Sequence, residues 1–409
     1  MTNTSEAASA ADDVEAPRFP TSRRTGCPFD PPPEFADLRA VDPMTRMTYP
    51  YGQIGWLVTG FEMARAVLSD VRFSSLPEGK LSPVKVPGTE LDLDALPPGM
   101  FVNMDPPQHT RYRRLLNGHF TVRRVRLMET QIRTIVDGVL DGMERAGSPV
   151  DLVEEFAKPI PTMVTTELLG LPLDQREQFQ HDVSVLFSLS SSGEEMIESM
   201  NRLGGTLAAL VAAKRAAPTD DLLGSLVSDT DLTDPELLGI TFVLLVAGLE
   251  TTTNMLALGV FALFQHPEQL AALRADPTLM APAVDELLRF LSVVQVGPVR
   301  VAAEDFEFEG RQVTKGDVVT VSLPAANRDP DRFPDADALD FDRRDSGHIA
   351  FGRGVHQCMG HHLARLELEV AYSALLERFP ELRLATPAEG VPTREMMVTY
   401  GVQRLEVAW

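Results

Sequence analysis

Cys358 stands in Phe351-Gly352-Arg353-Gly354-Val355-His356-Gln357-Cys358-Met359-Gly360 and is one of two cysteines in 409 residues. Glycines at 352 and 354 allow the loop to fold back so that backbone N–H groups face the sulfur, and Gly360 permits close approach of a flat partner. Apolar side chains at Met359, Leu363, Leu366, Val370 and Ala374 recur at three- and four-residue steps. A helix is therefore expected at or just beyond the cysteine, with its dipole favouring thiolate over thiol. A single thiolate on a glycine-rich loop suits an axial ligand of haem iron. Two other readings use the same residues: a buried structural cysteine, and half of a zinc site built from Cys358 and His361. Zinc requires three or four protein ligands, and the sequence holds no second cysteine pair to supply them.

Three further groups of residues carry possible chemistry. Ala247-Gly248-Leu249-Glu250-Thr251-Thr252 lies in the middle of the longest apolar stretch. A mid-helix glycine costs about 1 kcal/mol against alanine, and threonines that bond back to the preceding turn can open the helical ladder locally. The segment could form a groove with room for a small molecule, or a kinked core helix with a solvated Glu250. Glu286 and Arg289 share one helical face at the spacing of an ordinary surface ion pair. His109 and Arg113 likewise share a face, which by itself fits a solvated helix surface.

The decapeptide around Cys358 resembles the haem-binding signature of the cytochrome P-450 superfamily, with Phe seven residues before the cysteine, Gly four before, His two before and Gly two after. The resemblance extends from about Pro28 to the C-terminus, with the motifs in the family's order. It implies a mainly α fold with small β-sheets, haem b as cofactor and Cys358 as the axial ligand of its iron. Phe351, Gly352, Gly360, Ala247 and Gly248 would border the haem. Segment 247–252 resembles the family's oxygen-activation motif, in which Glu250 would relay protons from solvent and Thr251 would hydrogen-bond the oxygen being activated. The family more often has Asp at the position of Glu250. Glu286 and Arg289 match the Glu-x-x-Arg motif, joined by Arg343 in a buried network that supports the cysteine loop. His109, Arg113, Arg300 and His356 match the contacts to the haem propionates, which need cations or strong donors. The pocket walls would come from Ser75 to Phe101, Val185 to Ser192, Val243 to Ala247, Val293 to Val299 and Met396 to Val398, which are mostly aliphatic, Met or small.

These residues need elements to hold them. The run from Leu237 to Phe264 predicts one buried helix spanning ~45 Å at 1.5 Å per residue, with Thr233 and Glu236 as its capping box and Pro267 beyond its other end. Its length would also fit a membrane span, but Glu250 to Asn254 interrupt it where polar groups are expensive in lipid. Helices are expected over 121–146, 150–168, 173–189, 194–214 and 281–291. Trp56 to Thr59 reads as a strand in a small N-terminal sheet, followed by a helix over 61–68. Late strands are expected at 299–302, 317–321 and 396–407. Residues 1–25 read as a disordered tail with neither signal peptide nor anchor, and 26–409 as one domain.

A net charge of −22 argues against nucleic acid, which requires a basic footprint. Apolar residues at 44% and charged residues at 23% fit a globular protein with a substantial core. Cys27 and Cys358 give no disulfide framework, in keeping with a reducing cytoplasm. With no nucleotide-binding glycine loop in the sequence, the resemblance implies electrons from a separate ferredoxin and its reductase. The expected protein is a monomeric, cytoplasmic monooxygenase that inserts one atom of O2 into a bulky, largely apolar small molecule, by hydroxylation or epoxidation in secondary metabolism. A peroxide-driven peroxygenase and a non-catalytic haem sensor or carrier are the alternatives, and Glu250 with Thr251 counts against both.

Overall fold

The computed structural model describes residues 16–23, 27–86, 97–343 and 347–409. At its centre the helix Asp234–Gln265 runs for 32 residues, its side chains from Thr252 to Leu263 all buried. Glu236 closes the N-terminal turn by accepting from both Thr233 N and Thr233 Oγ1 at 2.8 Å. At the other end Pro267 opens a separate helix, Pro267–Ala275. A helix so apolar on all sides is stable in water only when other helices surround it. Pro159–Leu169, Arg176–Phe187, Gly193–Ala216, Met280–Leu291 and His361–Arg378 all pack against it. The last of these crosses at Gly259, where a Cβ would collide with the Tyr372 hydroxyl. The glycine lets Tyr372 Oη donate to Met255 O at 2.5 Å, tying the helix that follows Cys358 to the central one.

Beside the helices lies one five-stranded sheet in the order Met44–Thr48, Ile54–Val58, Val318–Val321, Val299–Ala302, Phe73–Ser74. The expected N-terminal sheet is therefore not separate. Ile54–Val58 pairs in parallel with Val318–Val321, Trp56 opposite Val319, because its inner face is completed only by the late strands. This joins the two ends of the chain and sets Arg300, on Val299–Ala302, near the cysteine loop.

Several expectations are corrected. Segment 150–168 is not one helix: Val150 and Asp151 pair with Val407 and Glu406, a π-helical turn covers Val153–Ala157, and the α-helix begins at Pro159. Proline has no N–H to continue the ladder, so the preceding turn widens and Lys158 N reaches back to Val153 O. In 396–407 only Glu406–Ala408 is a strand. The earlier residues are stitched between two loops, with Val398 N donating to Phe187 O and Tyr400 N to Val293 O. Of the expected tail, residues 1–15 and 24–25 lie outside the described residues. Residues 16–23 pack on the sheet side, where buried Phe19 meets Phe35 edge to face at 5.4 Å.

Candidate haem and oxygen site

The cysteine loop is held by its backbone. Cys358 N donates to Phe351 O at 2.8 Å, and Gly352 N to Ile349 O at 2.8 Å. Gly352 and Gly354 adopt φ of +70° and +73°, a region that side chains with a Cβ seldom occupy. A Cβ on Gly354 would also strike the backbone of Leu68 and Ser69. The helix that follows begins at His361, three residues past the sulfur. The Gly360 N–H is directed at Cys358, and it acts with the charges of Arg113 and Arg365 to favour the thiolate, but burial outweighs all three and pushes the thiol up. The expected dipole effect thus does not ionise the sulfur unaided. A coordinated metal deprotonates a thiol outright, so a bound metal would supply what the loop lacks.

Cys358 lies deep in the protein, and its exposure is to a cavity of about 340 Å3 that it helps to line. One wall is the cysteine loop, with Phe351, Gly352, His356 and Gly360. The facing wall is the central helix, with Val243, Ala247, Gly248, Thr251, Thr252 and Met255. Apart from the adjoining chain, no atom of the described residues lies within 4 Å of a Cβ built on Gly352 or Gly360, and both glycines line the cavity. On the opposite wall a Cβ on Gly248 would come within 3.1 Å of Thr165 Oγ1, so the mid-helix glycine also admits the neighbouring helix.

At one rim of the cavity a group of cations and rings converges. The rings of His109 and His356 lie 4.2 Å apart, and among the described residues neither nitrogen of His109 nor Nε2 of His356 has a hydrogen-bond partner. Arg113 donates to Gln357 O at 2.9 Å, and Arg300, buried, donates to Val299 O at 3.0 Å. Burial, with Arg300, His109, Lys80 and Arg113 adding to it, lowers His356 to about 3. Burial lowers Arg300 to about 10, and burial with Arg300 nearby lowers Lys80 to about 8. So many buried donors with orphaned nitrogens require an anion. Asp105, the carboxylate nearby, is occupied by Ser74 Oγ at 2.5 Å and Ser75 N at 2.7 Å. The donor set, the sulfur and the glycine-bordered gap fit a flat, dicarboxylate, iron-bearing ring. Lys80 is the member that sequence reasoning missed, and it lies in a loop without periodicity.

The two oxygen-motif residues face different spaces. Thr251 faces the cavity, with Oγ1 donating to Ala247 O at 2.8 Å. Glu250 does not. Successive helical residues point about 100° apart, and its carboxylate faces a second, polar cleft of about 1400 Å3 with His181, Ser184 and Arg394. Arg394 Nη2 approaches Glu250 Oε1 to 2.7 Å, off the line of a hydrogen bond. The same cleft takes Val185, Ser188, Ser190, Ser191, Met396 and Met397, expected in the haem pocket. An isolated antiparallel bridge joins Ser188 to Met397 on this wall. Phe101, Val243, Leu244, Val293, Val294 and Pro298 do line the cavity. Part of the expected wall, 87–96, lies outside the described residues.

Beneath the loop, Arg289 is fully buried and grips Glu286 twice at 2.7 Å. It also donates to Asn327 O, Ala336 O and Ala338 O at 2.8 to 3.0 Å. Arg343 Nε adds a bond to Glu286 Oε1 at 3.2 Å. The neighbouring Asn327 carries the network to the loop, its Oδ1 accepting from Ile349 N at 2.9 Å.

With the geometry in place, comparison defines the class of protein. A sequence profile described as Cytochrome P450 matches residues 209–399. The chain is 51% identical over 382 residues to Cytochrome P450 105C1 of a Streptomyces species, covering 93% of this chain and 96% of that protein. It is 40% identical to pentalenic acid synthase of Streptomyces avermitilis, covering 97% and 98%. Among solved structures it superposes on CYP105P1 in complex with filipin I with a TM-score of 0.88, at 40% identity, over 97% and 99% of the two chains. It also superposes on the mycinamicin VIII C21 methyl hydroxylase MycCI from Micromonospora griseorubida with a TM-score of 0.90, at 35% identity, over 96% and 100%.

The chain belongs to the cytochrome P450 family. It is an O2-dependent monooxygenase of bulky small molecules that uses haem b and redox partners of the ferredoxin type.

Proposed function

We propose that this enzyme hydroxylates or epoxidises a bulky, largely apolar natural product, a polyketide or terpenoid, in the cytoplasm and as a monomer. The observation that carries this reading is one cavity walled by Cys358, by Thr251 and by mostly apolar side chains, with Arg113 and the unpartnered imidazoles of His109 and His356 at one rim. The relatives support the substrate class through the molecules in their names, filipin I, mycinamicin VIII and pentalenic acid.

In this reading His109, Arg113, Arg300 and His356 hold the haem carboxylates, Cys358 holds its iron, and Phe351, Gly352, Gly360, Ala247 and Gly248 leave room for its plane. Bound there, haem supplies O2 binding and O–O cleavage. The chain's own task is to deliver protons into an apolar cavity and to keep other water out. Glu250 collects protons from the polar cleft, held in place by Arg394. Thr251 holds a proton on the cavity side. Its hydroxyl is spent on Ala247 O at rest, so it must swing inward to donate. A donor has to lie within hydrogen-bond reach of the reacting atom, directly or through one water.

The test measures product and peroxide per NAD(P)H consumed. Thr251→Ala is expected to bind substrate and consume NAD(P)H while releasing much of the oxygen as peroxide. Glu250→Gln is expected to slow oxygen consumption and product formation together. Wild-type coupling in Thr251→Ala overturns the proton-delivery reading and leaves Cys358 untouched.

A further inference from the structure

His348, Asp285 and Arg365 stand behind the cysteine loop, outside the cavity wall, and none of the roles above uses them. The His348 side chain is 1% exposed, and its Nδ1 accepts from Ala350 N at 3.1 Å. A ring nitrogen that accepts carries no proton, so the N–H of the neutral ring sits on Nε2. Nε2 has no hydrogen-bond partner among the described residues, and the oxygen it approaches is Asp285 Oδ1 at 3.5 Å. The same Oδ1 accepts from Arg365 Nε at 2.7 Å. Arg365 donates in turn to His361 O at 3.2 Å, and its guanidinium carbon lies 4.7 Å from the centre of the Phe351 ring. The contacts thus begin at the backbone of Ala350 and return to its neighbour Phe351, where the loop to Cys358 starts.

Stability does not account for this arrangement. Asp285 and Arg365 are 38% and 27% exposed, and an ion pair so close to solvent contributes about 0–1 kcal/mol. Burial opposes ionisation of Asp285, but contact with His348 and Arg365 outweighs it and keeps the carboxyl below its ordinary value, so the group is an anion. The guanidinium reaches the sulfur electrostatically, because its charge favours the Cys358 thiolate. Arg113 acts on the sulfur in the same sense, but it ends on the carbonyl of Gln357. Arg365 instead carries a counter-charge at a fixed distance, and a buried imidazole stands against that carboxylate.

We infer that Asp285 is a positioning residue which, anchored by His348, holds Arg365 over Phe351 and offsets its charge, so that the pair sets the reduction potential of the iron bound to Cys358. The inference rests on the reading of Cys358 as the iron ligand. Reduction adds one electron, supplied by a partner of the ferredoxin type, and so one negative charge at the iron and its sulfur. A fixed cation nearby favours the reduced form and a fixed anion the oxidised form, and both act more strongly in the protein than in water. The two members therefore pull in opposite directions.

A spectroelectrochemical titration of the haem-loaded enzyme, without ferredoxin, tests this. Asp285→Asn is expected to raise the reduction potential and Arg365→Gln to lower it, while Arg365→Lys and the double variant Asp285→Asn with Arg365→Gln stay close to wild type. Arg365→Gln is also expected to convert several-fold faster from the thiolate-type to the neutral-thiol carbon-monoxide spectrum. Melting temperatures close to wild type are expected throughout, because both side chains are partly exposed. A pair that only joined two helices would lower melting temperature without shifts of opposite sign. Shifts of the same sign, unchanged potentials in both single variants, or a loss of melting temperature with no shift overturns the proposal and leaves Cys358 as the ligand. A histidine-type spectrum in the wild type overturns the ligand reading and this proposal with it.

Discussion

Replacing Arg289 by Lys keeps the positive charge and removes the fork. The guanidinium makes two bonds to Glu286 and three to the carbonyls of Asn327, Ala336 and Ala338, with no part of the residue exposed. An ammonium offers three donors from one point and cannot match five acceptors spread around a plane. At least two buried acceptors then go without a donor, at roughly 1–3 kcal/mol each. Glu286 keeps Arg343, 10% exposed, as its guanidinium partner. The expected loss is about 3–5 kcal/mol, the range for breaking a buried ion pair, and a large part of a total stability of about 5–15 kcal/mol. Denaturant unfolding of the haem-loaded enzyme, followed by far-UV circular dichroism and by haem absorbance, measures it. Because Asn327 links this network to Ile349, the haem signal is expected to be lost at lower denaturant than the helical signal. In a cycle with Glu286→Gln the two losses should be strongly non-additive. A loss below about 1 kcal/mol with coincident wild-type transitions would refute the argument that this network holds the loop.

Two further outcomes are expected. Arg114, Arg123, Arg124, Arg126 and Arg353 are exposed and make no ion pair among the described residues, and they lie near exposed Val122, Leu127 and Val355. Charge reversal at Arg114 or Arg124 should slow reduction by ferredoxin, with an effect that shrinks as salt rises; Arg111, already paired with Glu236 and Asp231, should matter less. Salt-independent reduction in stopped-flow would count against this face. In the cap of the central helix, burial opposes ionisation of Glu236, but bonds from Thr233, Arg111 and Tyr112 outweigh it and lower the carboxyl from 4.5 to about 2. A depressed acid contributes stability above its unfolded pKa and loses it as pH falls through the folded one. Urea stability of wild type should therefore fall between about pH 4.5 and 2 more steeply than that of Glu236→Gln, and parallel curves would contradict the assignment.

Several features were decided by local sequence. The positive-φ glycines of the cysteine loop, the Thr233–Glu236 cap and the three-residue spacing of Glu286 and Arg289 each depend on neighbours within a few residues, so the chain carries them wherever it packs. Periodicity also placed the central helix, because only burial on every side suits so continuous an apolar run. Tertiary packing decided which helical face met which neighbour. Sequence put Glu250 beside Thr251, but the helices around the central one gave the first to a polar cleft and the second to the cavity. Lys80, Arg300, His109 and His356 come from four separate segments and become one rim of cations and imidazoles only when the two ends of the chain share a sheet. Val185, Ser188, Ser190 and Ser191 line the polar cleft beside Met396 and Met397, a segment some two hundred residues later in the chain. A hydrophobic period fixes the angle between side chains on one helix, whereas the partner each side chain meets depends on contacts more than a hundred residues away.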